Sequence, residues 1–160
     1  MSDMLVKLYD LPKADKLYSN LETQGITLRN AIVPEKSFVC NWVLAHFSMN
    51  WRDECEAAFS RQPVSCIIAI FENELVGFAC YNVTSKGFFG PTGVNENYRG
   101  KSIGKALLFR ALEGLKNDGF AYGIIGGVGP VSFYEKAVNA ILIPDSTPGV
   151  YKGLLKKNSP

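Results

Sequence analysis

The stretch YRGKSIGKALL, residues 98–108, decides how this chain is read. Its GKS looks like the end of a phosphate-binding P-loop, yet the same residues also read as a glycine-bearing turn that opens a helix. A P-loop needs G-x-x-x-x-G-K-[ST], because its first glycine turns the chain so that successive backbone N–H groups enclose the phosphates. Counting back from Gly100, that glycine belongs at position 95, which is Asn95, and Gly93 lies two residues too early. A dinucleotide fingerprint fails as well: Gly127 and Gly129 begin G-x-G-x-x-G, but Pro130 follows and Ser132 stands where the last glycine belongs. What remains is a strand, a turn holding Arg99, Gly100 and Gly104, and a long helix. The first turn of such a helix has N–H groups with no intrahelical partner and a partial positive charge, which suits a pyrophosphate. Arg99, Lys101 and Lys105 add charge at the rim, although alone they also fit an ordinary solvated helix start.

Working outward, 160 residues suit one domain, residues 1–160, with residues 1–24 read as an N-terminal extension packed on it. The composition is that of a globular protein, 47% hydrophobic and 20% charged, and no apolar run is long enough to span a bilayer. A soluble, cytoplasmic protein with no membrane partner is expected. The net charge of +2 is too small to suggest a nucleic-acid partner. Cys40, Cys55, Cys66 and Cys80 are scattered without C-x-x-C spacing, and His46 is the only histidine. Neither a metal site nor a disulfide framework is expected from that spacing.

Residues 26–33 read as a strand and residues 34–47 as a helix with Pro34 at its start; residues 51–62 read as a second helix. From Pro63 the texture turns to β, with VSCIIAIFE and LVGFACYNV forming a hairpin and GFFGPTGV a third strand. Gly90, Pro91 and Gly93 within that strand mark a bulge or a close backbone approach. Residues 102–119 follow as a helix apolar on more than one face, then FAYGIIGGV as a buried strand. A short helix PVSFYEKAV, a strand AILIP and a last strand GVYKGLL complete the order, with KKNSP as a frayed tail. The fold class is α/β: a mixed sheet with helices on both faces, and a right-handed parallel crossover around residues 87–128.

Residues 99–104, Arg-Gly-Lys-Ser-Ile-Gly, resemble the Q/R-x-x-G-x-G/A signature of the GNAT N-acetyltransferase superfamily, with Ser102 where the family usually has glycine. The resemblance extends over approximately residues 26–155. Val94 matches the valine that ends the family's fourth strand, and FYEKAV, residues 133–138, resembles its F-Y-E-K segment. The family's frequent asparagine six residues before that phenylalanine is absent, since Gly127 stands there. The resemblance implies a mostly antiparallel sheet whose fourth and fifth strands splay apart to admit pantetheine. It implies acetyl-CoA as co-substrate, bound by Thr92, Gly93, Val94, Arg99, Gly100, Lys101, Ser102, Ile103, Gly104 and Lys105, with no metal. It also implies direct acetyl transfer to an amine acceptor, with Tyr134 beside the coenzyme A sulfur as the acid for the departing thiolate. A non-catalytic acyl-CoA-binding or regulatory domain is the alternative on the same fold, and a homodimer is left open.

Several residues stay open beside that reading. Asp53, Glu54, Glu56 and Glu96 are the candidates for deprotonating the amine, directly or through water. His46 reads as a packed histidine on an apolar helix face. An acyl-thioester on Cys66 or Cys80 is disfavoured, because no histidine accompanies either cysteine. Trp42, Trp51, Phe88 and Phe89 read as core, some of them lining an acceptor pocket together with Tyr81.

Overall fold

The computed structural model describes residues 1–156; the tail read as frayed lies, from residue 157 onward, outside the described residues. One seven-stranded sheet runs through the molecule in the order β2-β3-β4-β5-β6-β1-β7. Its strands are β1 (Met4–Lys7), β2 (Ile26–Asn30), β3 (Cys66–Phe71), β4 (Glu74–Tyr81), β5 (Phe88–Val94), β6 (Tyr122–Ile125) and β7 (Ile141–Leu142). All neighbouring pairs are antiparallel except β5 and β6. That parallel pair requires a crossover, supplied by helix α4 (Ile103–Asn117). The expected mixed, mostly antiparallel sheet is therefore the sheet observed.

Helices α1 (Asp15–Thr23) and α4 cover one face, and α2 (Lys36–His46) and α3 (Met49–Ala58) cover the other. Helix α4 buries Ile103, Ala106, Leu107, Leu108, Phe109, Ala111, Leu112 and Leu115. A stripe that wide suits a helix enclosed between the sheet and α1, as its sequence pattern implied. Arg110 fixes the α1 side by donating to the Leu28 carbonyl at 3.2 Å while its guanidinium lies 5.4 Å from the Tyr18 ring centroid. On the opposite face a second core gathers Val39, Cys40, Val43, Cys55, Phe59, Val64, Cys66, Ile68, Phe78 and Cys80. The β3–β4 hairpin closes through Glu72 and Asn73, both at positive φ (50° and 63°), the pair of left-handed residues that a tight turn with native strand twist demands.

The two ends of the chain depart from expectation. The residues read as a packed extension contribute β1, which lies inside the sheet between β6 and β7. Met4 and Val6 are fully buried while Lys7 is exposed, the two-residue alternation of a strand with one face on the core. GVYKGLL is correspondingly not a strand: Gly149–Tyr151 is a 3-10 turn and residues 152–156 are irregular. With β1 hydrogen-bonded along the free side of β6, that edge offers no ladder for the C-terminal residues to join. No helix among the described residues is long and apolar enough to cross a membrane.

Candidate functional site

The parallel ladder between β5 and β6 is short. Phe88 pairs with Ile124 and Phe89 with Ile125, and beyond them Gly90–Val94 and Gly126–Val128 carry no mutual pairing. Two features stop the ladder. Pro91 has no N–H to donate, and the amides of Gly127 and Val128 are already used by Asp3 Oδ1 at 2.8 Å and the Ser2 carbonyl at 2.9 Å. On its other side β5 stays attached to β4, with Gly77 opposite Val94, Phe78 opposite Gly93 and Ala79 opposite Thr92. Asn95 N–H donates to the Val76 carbonyl. Strand alternation then turns the N–H of Val94 the opposite way, into the splay.

A cleft of about 780 Å³ occupies this opening. Thr92, Gly126, Gly127, Val128 and Tyr134 line its splay side, and Asn50, Trp51, Asp53 and Glu54 of α3 line another wall. Thr84, Pro148, Tyr151 and Leu154 also line it. The volume falls within the usual range for small-ligand sites.

Tyr134 stands in the first half of α5 (Val131–Val138), 7% exposed, with its ring edge-on to Phe89 and Phe133 at centroid distances of 6.3 and 5.0 Å. Burial pushes its phenol above the ordinary value, because the anion would lose its hydration. Thr92 reaches the Phe78 carbonyl through its hydroxyl at 3.1 Å. Gly93 has a packing reason: a Cβ there would fall 2.3 Å from the Phe47 ring, which lies among Trp42, Trp51 and Phe78.

The residues of the opening stretch lie just past the cleft, at the Val94 end of the splay. A Cβ on Gly104 would sit 3.7 Å from the Val94 side chain, so the first turn of α4 packs directly against the end of β5. Arg99, Gly100, Lys101, Ser102 and Lys105 are exposed, and Ile103 is buried beneath the helix, so its side chain belongs to the core. Gly100 adopts φ +78°, and Ser102 takes the N-cap position at φ +66° with no side-chain cap. The first-turn N–H groups of α4 thus have no capping side chain, as an anion site at that turn requires. Lys101 Nζ lies 5.7 Å from the Tyr98 ring centroid.

The four carboxylates separate by position. Glu56 is paired with Lys36 and Arg52, each at 3.0 Å, and is not part of the cleft lining. Glu96 is exposed on the 3-10 turn before α4, also outside that lining. Asp53 borders the cleft but is bonded to Arg52 at 2.9 Å. Glu54 is half-buried in the wall, and its Oε1 accepts from the hydroxyls of Thr84 at 2.6 Å and Tyr151 at 3.2 Å. Burial, followed by the neighbouring Glu54 charge, raises the Tyr151 phenol and keeps it a donor. Thr84 and Tyr151 went unread in the sequence, since nothing local marks residues thirty and ninety-seven positions from Glu54.

One aromatic expectation, that for Tyr81, needs correction. Tyr81 is 3% exposed with its ring against Gly114 of α4, and it is not among the residues that line the cleft. Trp42 stacks on His46 at 4.3 Å and is not a lining residue, whereas Trp51, Phe88 and Phe89 are. His46 is exposed, its ring lying on Trp42 and its Nδ1 2.9 Å from the Trp42 carbonyl.

Comparison with known proteins agrees with this geometry. No curated protein matches the chain in sequence. Among solved structures, a GCN5-related glucosamine N-acetyltransferase region of a fungal multi-domain GH3 β-N-acetylglucosaminidase superposes with a TM-score of 0.72 at 14% identity, over 89% of this chain. A GCN5-related N-acetyltransferase from Sphaerobacter thermophilus superposes with a TM-score of 0.63 at 19% identity, again over 89%. The chain spans only 19% and 48% of the lengths of those two proteins, and at such identities the likeness is one of fold. The acetyltransferase (GNAT) family model matches residues 35–137, most of the chain, and the chain therefore belongs to the GNAT acetyltransferase family.

Proposed function

We propose that this protein transfers the acetyl group of acetyl-CoA directly to a primary amine of a small-molecule acceptor. Family membership supports acyl-CoA-dependent N-acetyl transfer as the class of chemistry. The observation that carries the reading for this chain is that Tyr134 and Glu54 face one cleft opened by the β5–β6 splay.

The pantetheine arm lies along the unpaired side of β5, and the pyrophosphate sits at the uncapped first turn of α4 between Arg99, Lys101 and Lys105. Glu54, held by Thr84 and Tyr151, orients the amine and accepts its proton directly or through water. The neutral amine attacks the thioester carbonyl, forming the C–N bond. The Val94 N–H donates to the developing oxyanion, a contribution on the order of 3 kcal/mol for one preorganised donor. Collapse breaks the C–S bond, Tyr134 gives its proton to the departing thiolate, and the proton that the new amide nitrogen sheds through solvent restores the Tyr134 phenol. Its raised pKa keeps that proton in place at neutral pH.

The deciding experiment is calorimetric titration with acetyl-CoA followed by a thiol-release screen over small amines. Binding with amine-dependent thiol release is the expected result. Binding without release across the panel would favour a non-catalytic acyl-CoA-binding domain, and absence of binding would end both readings. In the same assay Tyr134→Phe should lower kcat by about 10²-fold, within the range for loss of a general acid, with little change in acetyl-CoA affinity.

A further inference from the structure

All four cysteines of the chain lie in the second core, although they are separated by 11 to 15 positions in sequence. Cys66 and Cys80 are directly opposed partners on β3 and β4, which puts both side chains on the same face of the sheet. Helix α3 lays Cys55 over them. The three sulfurs all lie within 4.8 Å of one another, with Cys55 Sγ and Cys66 Sγ 4.0 Å apart. Cys40 of α2 lies in the same apolar core but outside this group of three sulfurs, and all four cysteines are free thiols.

We propose that Cys55, Cys66 and Cys80 bind one Zn(II) ion. The distances suit the ion: Zn–S bonds of about 2.3 Å in a tetrahedral site place sulfurs about 3.8 Å apart, a contraction of no more than about 1 Å from the spacing present. The donor set suits it too. Three thiols and no oxygen or imidazole form this group, and soft sulfur selects zinc or cuprous ion over magnesium, calcium or manganese. Charge decides between the soft ions. As the metal takes a sulfur lone pair, each of the three thiols releases its proton to solvent. The complex then has a net charge of −1 with Zn(II) but −2 with Cu(I). In an apolar core that also holds Val39, Val43, Val64, Ile68 and Phe78, the smaller charge costs less.

Ordinary packing of small apolar thiols is the competing account, and it requires no mutual convergence of three sulfurs from separate elements. Burial of all four cysteines at 2% exposure or less means that the ion is acquired as the chain folds. The site would tie α3 to β3 and β4, and α3 carries Glu54 on the neighbouring position to Cys55.

The test uses the full chain, expressed with added zinc and, separately, unfolded and refolded anaerobically with Zn(II) or with chelator. About one zinc per chain, retained through dialysis against a weak chelator, is expected, together with a higher Tm for the zinc-refolded sample. Refolding with Co(II) should produce the sulfur-to-cobalt charge-transfer absorption of a thiolate site. The double variant Cys66→Ala/Cys80→Ala should lose both the metal and the absorption. Less than a tenth of an equivalent of zinc in both wild-type preparations would overturn the proposal. So would unchanged zinc in the double variant, or a titration showing two thiols consumed as a disulfide without metal. The wild-type metal content and cobalt spectrum decide the matter even if the double variant does not fold.

Discussion

Ser102 occupies the backbone conformation for which glycine is suited, φ +66° at the N-cap of α4. A non-glycine residue in that region costs about 1–2 kcal/mol, partly offset by the lower unfolded-state entropy of serine relative to glycine. Ser102→Gly is therefore expected to raise stability by about 0.5 kcal/mol, read as a shift in the urea midpoint at constant slope. Acetyl-CoA binding should be no weaker, because the first-turn N–H groups are unchanged. Gly93 illustrates the converse. Its missing Cβ is the space taken by the Phe47 ring, so Gly93→Ala should cost about 1–3 kcal/mol through overpacking. Phe47→Leu should recover part of that loss in a double-mutant cycle, which tests the contact itself. The glycines of this segment were legible as close approaches; what approaches them was not, because Phe47 comes from the end of a helix forty-six residues earlier.

Between elements, the central relation is that of β1 to β6. The N-terminal strand pairs along β6 from Met4–Ile125 to Lys7–Tyr122, and Ser2 and Asp3 continue to hold Val128 and Gly127 after the ladder ends. This keeps β6 turned toward the N-terminus at the point where β5 diverges. Deletion of residues 1–7 would strip β6 of one neighbour and detach β7, leaving an open edge beside the cleft. The truncated chain is expected to lose its cooperative thermal transition and to aggregate, as light scattering during a melt would show. Retention of a native-like transition would mean that the β5–β6 crossover is stable without β1.

For the molecule as a whole, the three tyrosines with raised phenols that pack in or against the core on the α4 face couple ionisation to folding. Burial is the first cause raising the phenols of Tyr18, Tyr81 and Tyr134 above their ordinary value. The unfolded chain would release these protons near pH 10, whereas the folded chain retains them, so the unfolded state binds fewer protons above that pH. Stability from these groups is complete below about pH 10 and declines as pH rises further. Urea titrations between pH 8 and 11 should show that decline, and the Tyr134→Phe variant should decline less steeply. A stability that rose over this interval would contradict the burial of the three rings.

Local information was enough for much of this protein. Spacing excluded the P-loop at Asn95, the apolar pattern of residues 102–119 announced an enclosed helix, and Gly90, Pro91 and Gly93 marked the segment where β5 leaves β6. These features follow from single-residue torsions and short periodicities, which a chain displays without its partners. The rest depended on which distant segments meet. MLV became an interior strand because β6 had an unpaired edge, and GVYKGLL, with that edge taken, borders the cleft through Tyr151 and Leu154. Glu54 was distinguished from three other carboxylates by the hydroxyls of Thr84 and Tyr151, and three of the four unpatterned cysteines became one sulfur cluster where α3 packs on β3 and β4. Such encounters are set by sheet order and helix packing, and neither leaves a local pattern at the residues that finally touch.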